Sequence, residues 1–333
     1  MNTLTILSNC GQYLCTNMKS STSFLRFSKI ILVAVFLVIV AGGVVRMTQS
    51  GMGCPDWPRC FGMWVPPTNA SQLPANYESY LKQQDIDHSF NVFHTWTEYI
   101  NRLLGALLGV LLLIQFIWSL KFRKTNPRIV WLCLGLLLLT GFQGWLGKRV
   151  VDANLETVKI TTHMLVAILI AALALTIIHF TTPAKRYNNK KLRHITAITL
   201  ALLIVQIAFG TAVREQIDQI GKELNYTARE TWVSKLDYVF YIHRSFSLLI
   251  AVLCLYIYFQ FKKSGIPLLS TPLIIICVLS EITLGVVMAN LNMPSLAQPL
   301  HLLFSCGLFV ALFNNWLNTS GQNSSNAYPR IIN

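Results

Sequence analysis

The chain has 333 residues, of which 53% are hydrophobic and only 12% are charged, and its formal net charge is +14. Because so few charged residues cannot cover a soluble globule of this size, the composition predicts a membrane protein. The positive charge does not call for a nucleic-acid partner, since a basic cytoplasmic face lying against anionic lipid accounts for it.

Eight mostly apolar runs are each long enough to cross a bilayer as a helix. In chain order they lie near residues 30–46, 99–118, 129–147, 160–180, 195–213, 239–260, 267–288 and 298–316. The sequence therefore predicts an all-α, multi-pass protein of the cell (inner) membrane with eight transmembrane helices. An even number of crossings places both termini on the same side.

The charges of the connections indicate which side that is. Lysine and arginine are concentrated in the two tails and in the connections 121–128, 185–193 and 262–263, and none of the 13 acidic residues lies there. Because cytoplasmic loops carry the excess of basic residues, we expect both termini to be cytoplasmic. We read the segment 1–29 as a cytoplasmic tail and the first span as a retained helix rather than a cleaved signal.

An internal repeat divides the chain into two halves. NRLLGALLGVLLL (101–113) resembles HRSFSLLIAVLCL (243–255), HMLVAILIAALAL (163–175) resembles HLLFSCGLFVALF (301–313), and GGVVR (42–46) resembles GTAVR (210–214). Four spans per repeat give both halves the same orientation, related by a pseudo-twofold axis along the membrane normal. We predict two tandem four-helix bundles, over 30–186 and 187–318, followed by a cytoplasmic tail over 319–333.

The repeat places four polar residues at equivalent positions, near the outer end of each even-numbered span: Asn101, His163, His243 and His301. A histidine inside the membrane is costly, so function is the leading interpretation, although a single one could be a packing residue. Two facing imidazoles at equal depth are typical of an axially ligated haem. Zinc is disfavoured, because cysteines or carboxylates that would complete four ligands are missing from the set.

In the second unit, His243 and His301 predict a bis-histidine haem iron suited to electron transfer. Arg244 lies about 100° round the helix from His243, so it would neutralise a haem propionate rather than bind iron. In the first unit, His163 has Asn101 as its partner, which is a poor iron ligand, and Arg102 follows it. One axial side of that iron is therefore expected to be open.

A carboxylate accompanies the first unit alone. Glu98 lies three residues before Asn101, on the same helix face, where the second unit has Phe240. It is either a solvated acid at the helix end or a catalytic carboxylate that stabilises developing charge or moves a proton. We favour the catalytic role, because His94, Glu98 and Asn101 share a face that lipid contact would make apolar. His94 is a more distant substitute ligand.

One further acid, Glu281, lies within the seventh span and aligns with Gln143 of the first unit. An acid at membrane depth needs a partner or a proton. We expect a polar contact between helices, with a proton path as the alternative.

These segments resemble the haem A synthase family. The resemblance is carried by GGVVRMTQSGMGCPDWPRCFG (42–62), EYINRLLGALLG (98–109), YIHRSFSLLIAV (241–252) and the helices of His163 and His301. It implies an enzyme that oxidises the C8 methyl of haem O to a formyl group, supplying cytochrome c oxidase, with a haem b cofactor in the second half. The expected partners are haem O synthase and an electron-transfer protein, and homo-oligomer formation stays open.

Carried onto this chain, the resemblance assigns His243 and His301 to haem b, and the essential acid to Glu98. His163 is expected at the substrate haem, with Asn101 and Arg102 beside it. The family's usual motif is Glu-x-x-His-Arg, and here Asn101 stands in the histidine position. Two other classes of protein would show a different pattern of polar residues. An electron-transfer haem b protein without haem-modifying activity would be expected to show two complete histidine pairs, and a transporter would carry its polar residues nearer mid-membrane.

The stretch GMGCPDWPRCFG (51–62) follows the first span and holds Cys54 and Cys60. The charge pattern places it on the outer, oxidising side, where a disulfide persists. Pro55 and Pro58 stiffen the short spacer. We predict a disulfide that either staples the loop or, as the family suggests, is redox-active beside the first haem site.

Overall fold

A computed structural model describes residues 3–78, 90–152, 157–182 and 186–319, and in the first helix it describes side chains from Thr22 onward. This part of the chain contains eight helices long and apolar enough to cross a membrane, which confirms the predicted all-α, eight-span architecture. We number them in chain order: α1 Thr3–Met47, α2 Val92–Ser119, α3 Pro127–Asp152, α4 Thr157–Thr181, α5 Lys190–Glu223, α6 Tyr238–Lys263, α7 Ser270–Asn290 and α8 Ala297–Asn318.

The helices pack as two rings of four. In the first ring α1 contacts α2, α2 contacts α3, α3 contacts α4, and α4 returns to α1; α5 to α8 repeat the pattern, and α1, α4, α5 and α8 join the rings. The even-numbered helices therefore occupy diagonal corners of each ring. This is the geometry in which facing side chains build a site in a bundle core.

Each ring has its own apolar core. Leu112, Leu136 and Ile177 are fully or almost fully buried in the first, as are Ile257 and Leu312 in the second. Large hydrophobic side chains such as those of Trp131 and Leu138 point outward and are exposed. An apolar exterior is what a helix facing lipid requires, because lipid tails contact it in place of water.

We call the end of the molecule that carries the connections after α1, α3, α5 and α7 the loop face. Because the basic residues lie in the opposite connections, we expect the loop face on the outer side of the membrane. It bears the disulfide loop, and all four polar positions of the repeat lie in the first two turns, or just beyond, of helices that start there.

Helix α1 is longer than the apolar run that predicts it. It begins at Thr3, so the boundary predicted at residue 29 falls inside the helix. Phe24 is fully buried against Trp118 and Phe122 at the far end of α2, and Ser28 accepts a hydrogen bond from Gln115. These contacts pack α1 against α2 on the N-terminal side of the apolar run that begins near residue 30. The predicted tail 319–333 lies, after Thr319, outside the described residues.

Helix α5 also exceeds its predicted span, 195–213. It continues to Glu223 and so includes acidic residues that the charge pattern places in a loop. Ile217 and Ile220 on this extension are buried with Trp232, Leu236 and Met293 from the following connections. Because the extension has its own apolar stripe and a cluster to bury it against, the helix continues beyond the membrane run.

Candidate functional site

Each of the three histidines of the repeat faces a glycine on the preceding helix. A Cβ atom added to Gly210 would lie 3.1 Å from Cε1 of His243. The corresponding distances are 3.5 Å from Gly147 to His163 and 4.0 Å from Gly285 to His301. The missing side chain of each glycine thus makes room for the imidazole of the next helix. We call each of these glycines, with the imidazole that it faces, a glycine cradle.

A polar side chain lies one turn before each of these glycines. Gln143 donates from Nε2 to the backbone carbonyl of His163 (2.9 Å), and Gln206 donates in the same way to that of His243 (3.0 Å). At the third position, Oε2 of Glu281 lies 3.3 Å from Nε2 of His301. A carboxylate has no proton to give a carbonyl, so the glutamate contacts the ring where the glutamines bind the backbone.

Together these residues extend the alignment of Glu281 with Gln143 to a repeated pattern: Gln or Glu, three residues, then Gly. It occurs as QGWLG (143–147), QIAFG (206–210) and EITLG (281–285), while α1 has VIVAG (38–42) at the equivalent place. The four-residue spacing puts both side chains on one helix face. The expected contact of Glu281 with a neighbouring helix is the third instance of this pattern.

The second unit suits a haem held by two imidazoles. His243 and His301 lie on α6 and α8, the diagonal helices of the second ring. Among the described residues, Nδ1 of each ring is buried without a hydrogen-bond partner, and so is that of His163. Uncompensated imidazole nitrogens in a dry interior are unusual, and a metal ligand's environment explains them.

The first unit departs from this arrangement at Asn101. Its Oδ1 is buried and without a partner in the described part of the chain, and Gly42, opposite in the repeat, has open space within 4 Å of its Cβ position. The preceding position in α1 is Val38 rather than glutamine. The glycine is therefore retained at this position, while both the polar residue before it and the histidine opposite it are replaced.

Glu98 is buried, with 4% of its surface exposed, so the alternative of a solvated acid at the helix end is wrong. Helix α2 begins two turns earlier than its predicted span, capped by Asn91, which places Glu98 well inside it. The backbone N–H of Cys54 donates to Oε2 (2.8 Å), and Arg102 donates to Oε1 from Nε (3.1 Å) and from Nη2. The carboxylate thus joins α2 to the disulfide loop.

Arg102 fastens the same loop. Besides Glu98, its guanidinium donates to the backbone carbonyls of Cys54 (3.0 Å), Asp56 (2.5 Å) and Arg59 (3.0 Å). The sequence analysis placed Arg102 beside the substrate haem, and most of its donors serve the loop. Arg244, its counterpart in the repeat, is exposed on α6.

The disulfide loop is a compact cap on α2. Cys54 and Cys60 form the predicted disulfide and are fully buried. Asp56 accepts the backbone N–H groups of Phe61 (2.6 Å) and Gly62 (2.9 Å). Gly53 lies so close to α2 that a Cβ there would be 2.4 Å from the carbonyl of His94. The loop therefore touches the helix that carries Glu98 through its backbone at Gly53 and through the side chain of Cys54, whose Sγ lies 3.7 Å from the carbonyl of Thr95.

Comparisons with known proteins agree with the resemblance read from the sequence. The family model described as cytochrome oxidase assembly protein matches residues 26–313. The chain is 27% identical to a haem A synthase of Flavobacterium psychrophilum over 78% of its own length and 87% of that protein. It is 24% identical to a haem A synthase of Ehrlichia canis, over 84% of this chain and 88% of the relative. A haem A synthase of Shewanella oneidensis is 32% identical over 55% and 54% of the two chains.

Proposed function

Because the chain belongs to the cytochrome oxidase assembly protein family, we propose that it is a haem A synthase, a membrane oxidoreductase that converts the C8 methyl of haem O to a formyl group. The observation that carries the proposal is the asymmetry of the two units. Three helix pairs hold an imidazole in a glycine cradle, and the fourth pair has Asn101 beside a buried glutamate. An electron-transfer protein would have no use for that carboxylate.

The second unit is assigned to a resident haem b. His243 and His301 would hold its iron, with Gln206 and Glu281 fixing the positions of these two residues. Bound there, haem b would supply electron transfer, with His243 and His301 as its two protein ligands. Second-shell contacts of this kind orient ligands and tune a metal.

The first unit is assigned to the substrate haem, with His163 as the protein ligand and Asn101 leaving the opposite face open. Glu98 accepts three hydrogen bonds, one from Cys54 and two from Arg102. A carboxylate at this place can take up a proton from the reacting methyl group or stabilise its developing positive charge. A fixed carboxylate in a dry site does this without reorganising.

Haem analysis tests the activity. The chain is expressed with a haem O synthase in a strain that has no other haem A synthase, and the extracted haems are identified by mass. We expect haem A to appear. Unchanged haem O beside correctly inserted protein would contradict the proposed enzyme.

Variants of Glu98 test the site. Glu98→Gln keeps the size of the side chain and is expected to retain the low-spin haem b spectrum while product formation falls by about two orders of magnitude or more. His243→Ala is the matched comparison, and it should remove the low-spin spectrum first. Loss of both spectrum and product in Glu98→Gln would make Glu98 a structural residue of the loop.

The disulfide adjoins the first site, because Cys54 donates its backbone N–H to the glutamate, and we propose two roles for it: a staple for the loop, or a redox-active pair beside that site. Paired Cys54→Ser and Cys60→Ser variants, assayed under oxidising and reducing conditions, separate two roles. A redox role predicts activity that responds to the applied potential in the native protein alone. A staple predicts a uniform loss of stability instead.

A further inference from the structure

Two arginines from different units meet on one carboxylate at the loop face. Arg46, at the end of α1, donates to Oδ2 of Asp218 from Nε (3.1 Å) and Nη2 (2.9 Å). Arg214 of α5 places Nη2 2.8 Å from Oδ1 of the same residue. Arg46 and Arg214 are equivalent in the repeat, as the last residues of GGVVR and GTAVR.

The charges of this cluster do not cancel. Two guanidinium groups share one carboxylate, and neither contacts a second carboxylate in the part of the chain that the structure describes. The side chains are about three-quarters or more buried, at 25% exposed for Arg46, 17% for Arg214 and 23% for Asp218. A surplus positive charge with this little water around it favours a further anion.

Each of the two arginines lies one helical turn beyond a glycine of the repeated pattern, on the same helix. On α5, Gln206, Gly210 and Arg214 follow one another at four-residue spacing, and therefore share one helix face. Gly210 touches the ring of His243, and Arg214 lies about 6 Å nearer the loop face. On α1, Gly42 and Arg46 repeat this spacing opposite Asn101. Helices α3 and α7 have Val151 and Ala289 at the corresponding places.

A haem carries two propionates on one edge of its ring, so an axial ligand and the propionates of one haem lie at different depths along a helix. If the propionates of a bound haem are directed toward the loop face, a residue one turn beyond the cradle, on the same helix face, would be placed to contact one of them. Guanidinium groups are the side chains best suited to bind carboxylates, through paired N–H donors.

We propose that Arg46 and Arg214 are a joined pair of propionate-binding residues, one for the haem of each unit, with Asp218 holding both in place. The proposal rests on the assignment of a haem to each unit, and it adds a site that the sequence analysis did not identify. Arg102 has its donors committed to the disulfide loop, and Arg244, for which we expected a haem propionate as partner, is exposed on α6.

The test compares two haems that differ only in their carboxylates. Full-length protein, prepared without haem, is titrated with haem b and with haem b dimethyl ester, and low-spin haem is measured by absorbance. We expect the native chain to prefer haem b, and Arg214→Gln to lose that preference by about ten-fold or more, because one charge-assisted carboxylate contact is removed.

Arg46→Gln should leave the low-spin preference intact and reduce the corresponding preference for haem O over its dimethyl ester in the first unit. The matched control is Arg149→Gln, which removes an exposed arginine from the loop-face end of α3 and should change neither preference. Arg214→Lys keeps the positive charge, and it is the second variant to be measured in case Arg214→Gln fails to fold.

The outcomes are distinct. If Arg214→Gln weakens both haems equally, the arginines only clamp the two units together and the proposal is overturned, while the haem site stands. Equal binding of haem b and its ester by the native chain overturns it too. If the native chain binds neither haem, the proposed function falls with it.

Discussion

At the scale of single residues, the three glycine cradles differ in the room they leave for an imidazole. We expect Gly210→Ala to lower the free energy of unfolding by about 1–3 kcal/mol, because its Cβ would overpack the ring of His243. Gly147→Ala should have a smaller effect, and Gly285→Ala, whose Cβ would lie at an ordinary contact distance of 4.0 Å, should be neutral or slightly stabilising.

The measurements are thermal unfolding in detergent and low-spin haem per chain. Gly105→Ala on α2, where nothing lies within 4 Å of the added atom, is the control. A series in which Gly285→Ala is the most harmful of the three would contradict the cradle geometry.

The residue before each cradle gives a second prediction. In Gln206→Glu the carboxylate cannot donate to the carbonyl of His243, so a buried acceptor loses its partner at a cost of about 1–3 kcal/mol. Glu281→Gln makes the third position like the first two and should be tolerated. Unfolding of both variants decides the matter, and equal losses would mean that the glutamines are not holding the backbone.

The histidines of this site could be predicted from the sequence, because the repeat aligns them. Gln206 and the glycines could not, since their role depends on which helix face lies against which ring. The sequence does contain the pattern, as Gln or Glu followed four residues later by Gly in three odd-numbered helices. Its role can be assigned only when the packing of α5 on α6 and of α7 on α8 is known.

At the scale of elements, the disulfide loop and α2 behave as one unit. Arg102→Ala removes the donors to Glu98 and to three loop carbonyls. We expect it to lower the free energy of unfolding by about 3 kcal/mol, because a buried carboxylate loses its partner. Arg244→Ala, at the equivalent exposed position, should change it by less than about 0.5 kcal/mol.

Limited proteolysis of the segment between α1 and α2 is the second measurement for this pair. The loop should become susceptible in Arg102→Ala and stay protected in Arg244→Ala. Protection in both variants would show that the disulfide holds the loop without the arginine.

Helices were easier to predict than their ends. An apolar run long enough to cross lipid identifies each span, but α2 begins early because Asn91 caps it, and α5 continues because Ile217 and Ile220 find a cluster outside the membrane run. The start of α2 depends on a local cap, whereas the extension of α5 depends on packing partners that are distant in sequence. The contacts that bury Glu98 could not be predicted either, because Cys54, which donates to its carboxylate, precedes it by 44 residues.

At the scale of the whole molecule, the distribution of charge sets the orientation in the membrane. Because lysine and arginine cluster in the connections opposite the loop face, we expect reporters fused after residue 319 to be cytoplasmic. A single cysteine introduced at Ser71, which is exposed in the connection between α1 and α2, should react with an impermeant thiol reagent from outside. Labelling only after permeabilisation would reverse the topology.

The pairing of Arg46 and Arg214 on one aspartate has a consequence for how such a molecule could be assembled. Two equivalent side chains that meet at one point must lie beside the pseudo-twofold axis, and Asp218 has Ser50 as its counterpart in the first unit. Two identical four-helix subunits would bring either two aspartates to that axis or none, giving two carboxylates crowded together or two bare guanidinium groups. Joining the halves in one chain allows a residue to be present once, so the covalent link makes possible a charge balance that a symmetric dimer could not reach.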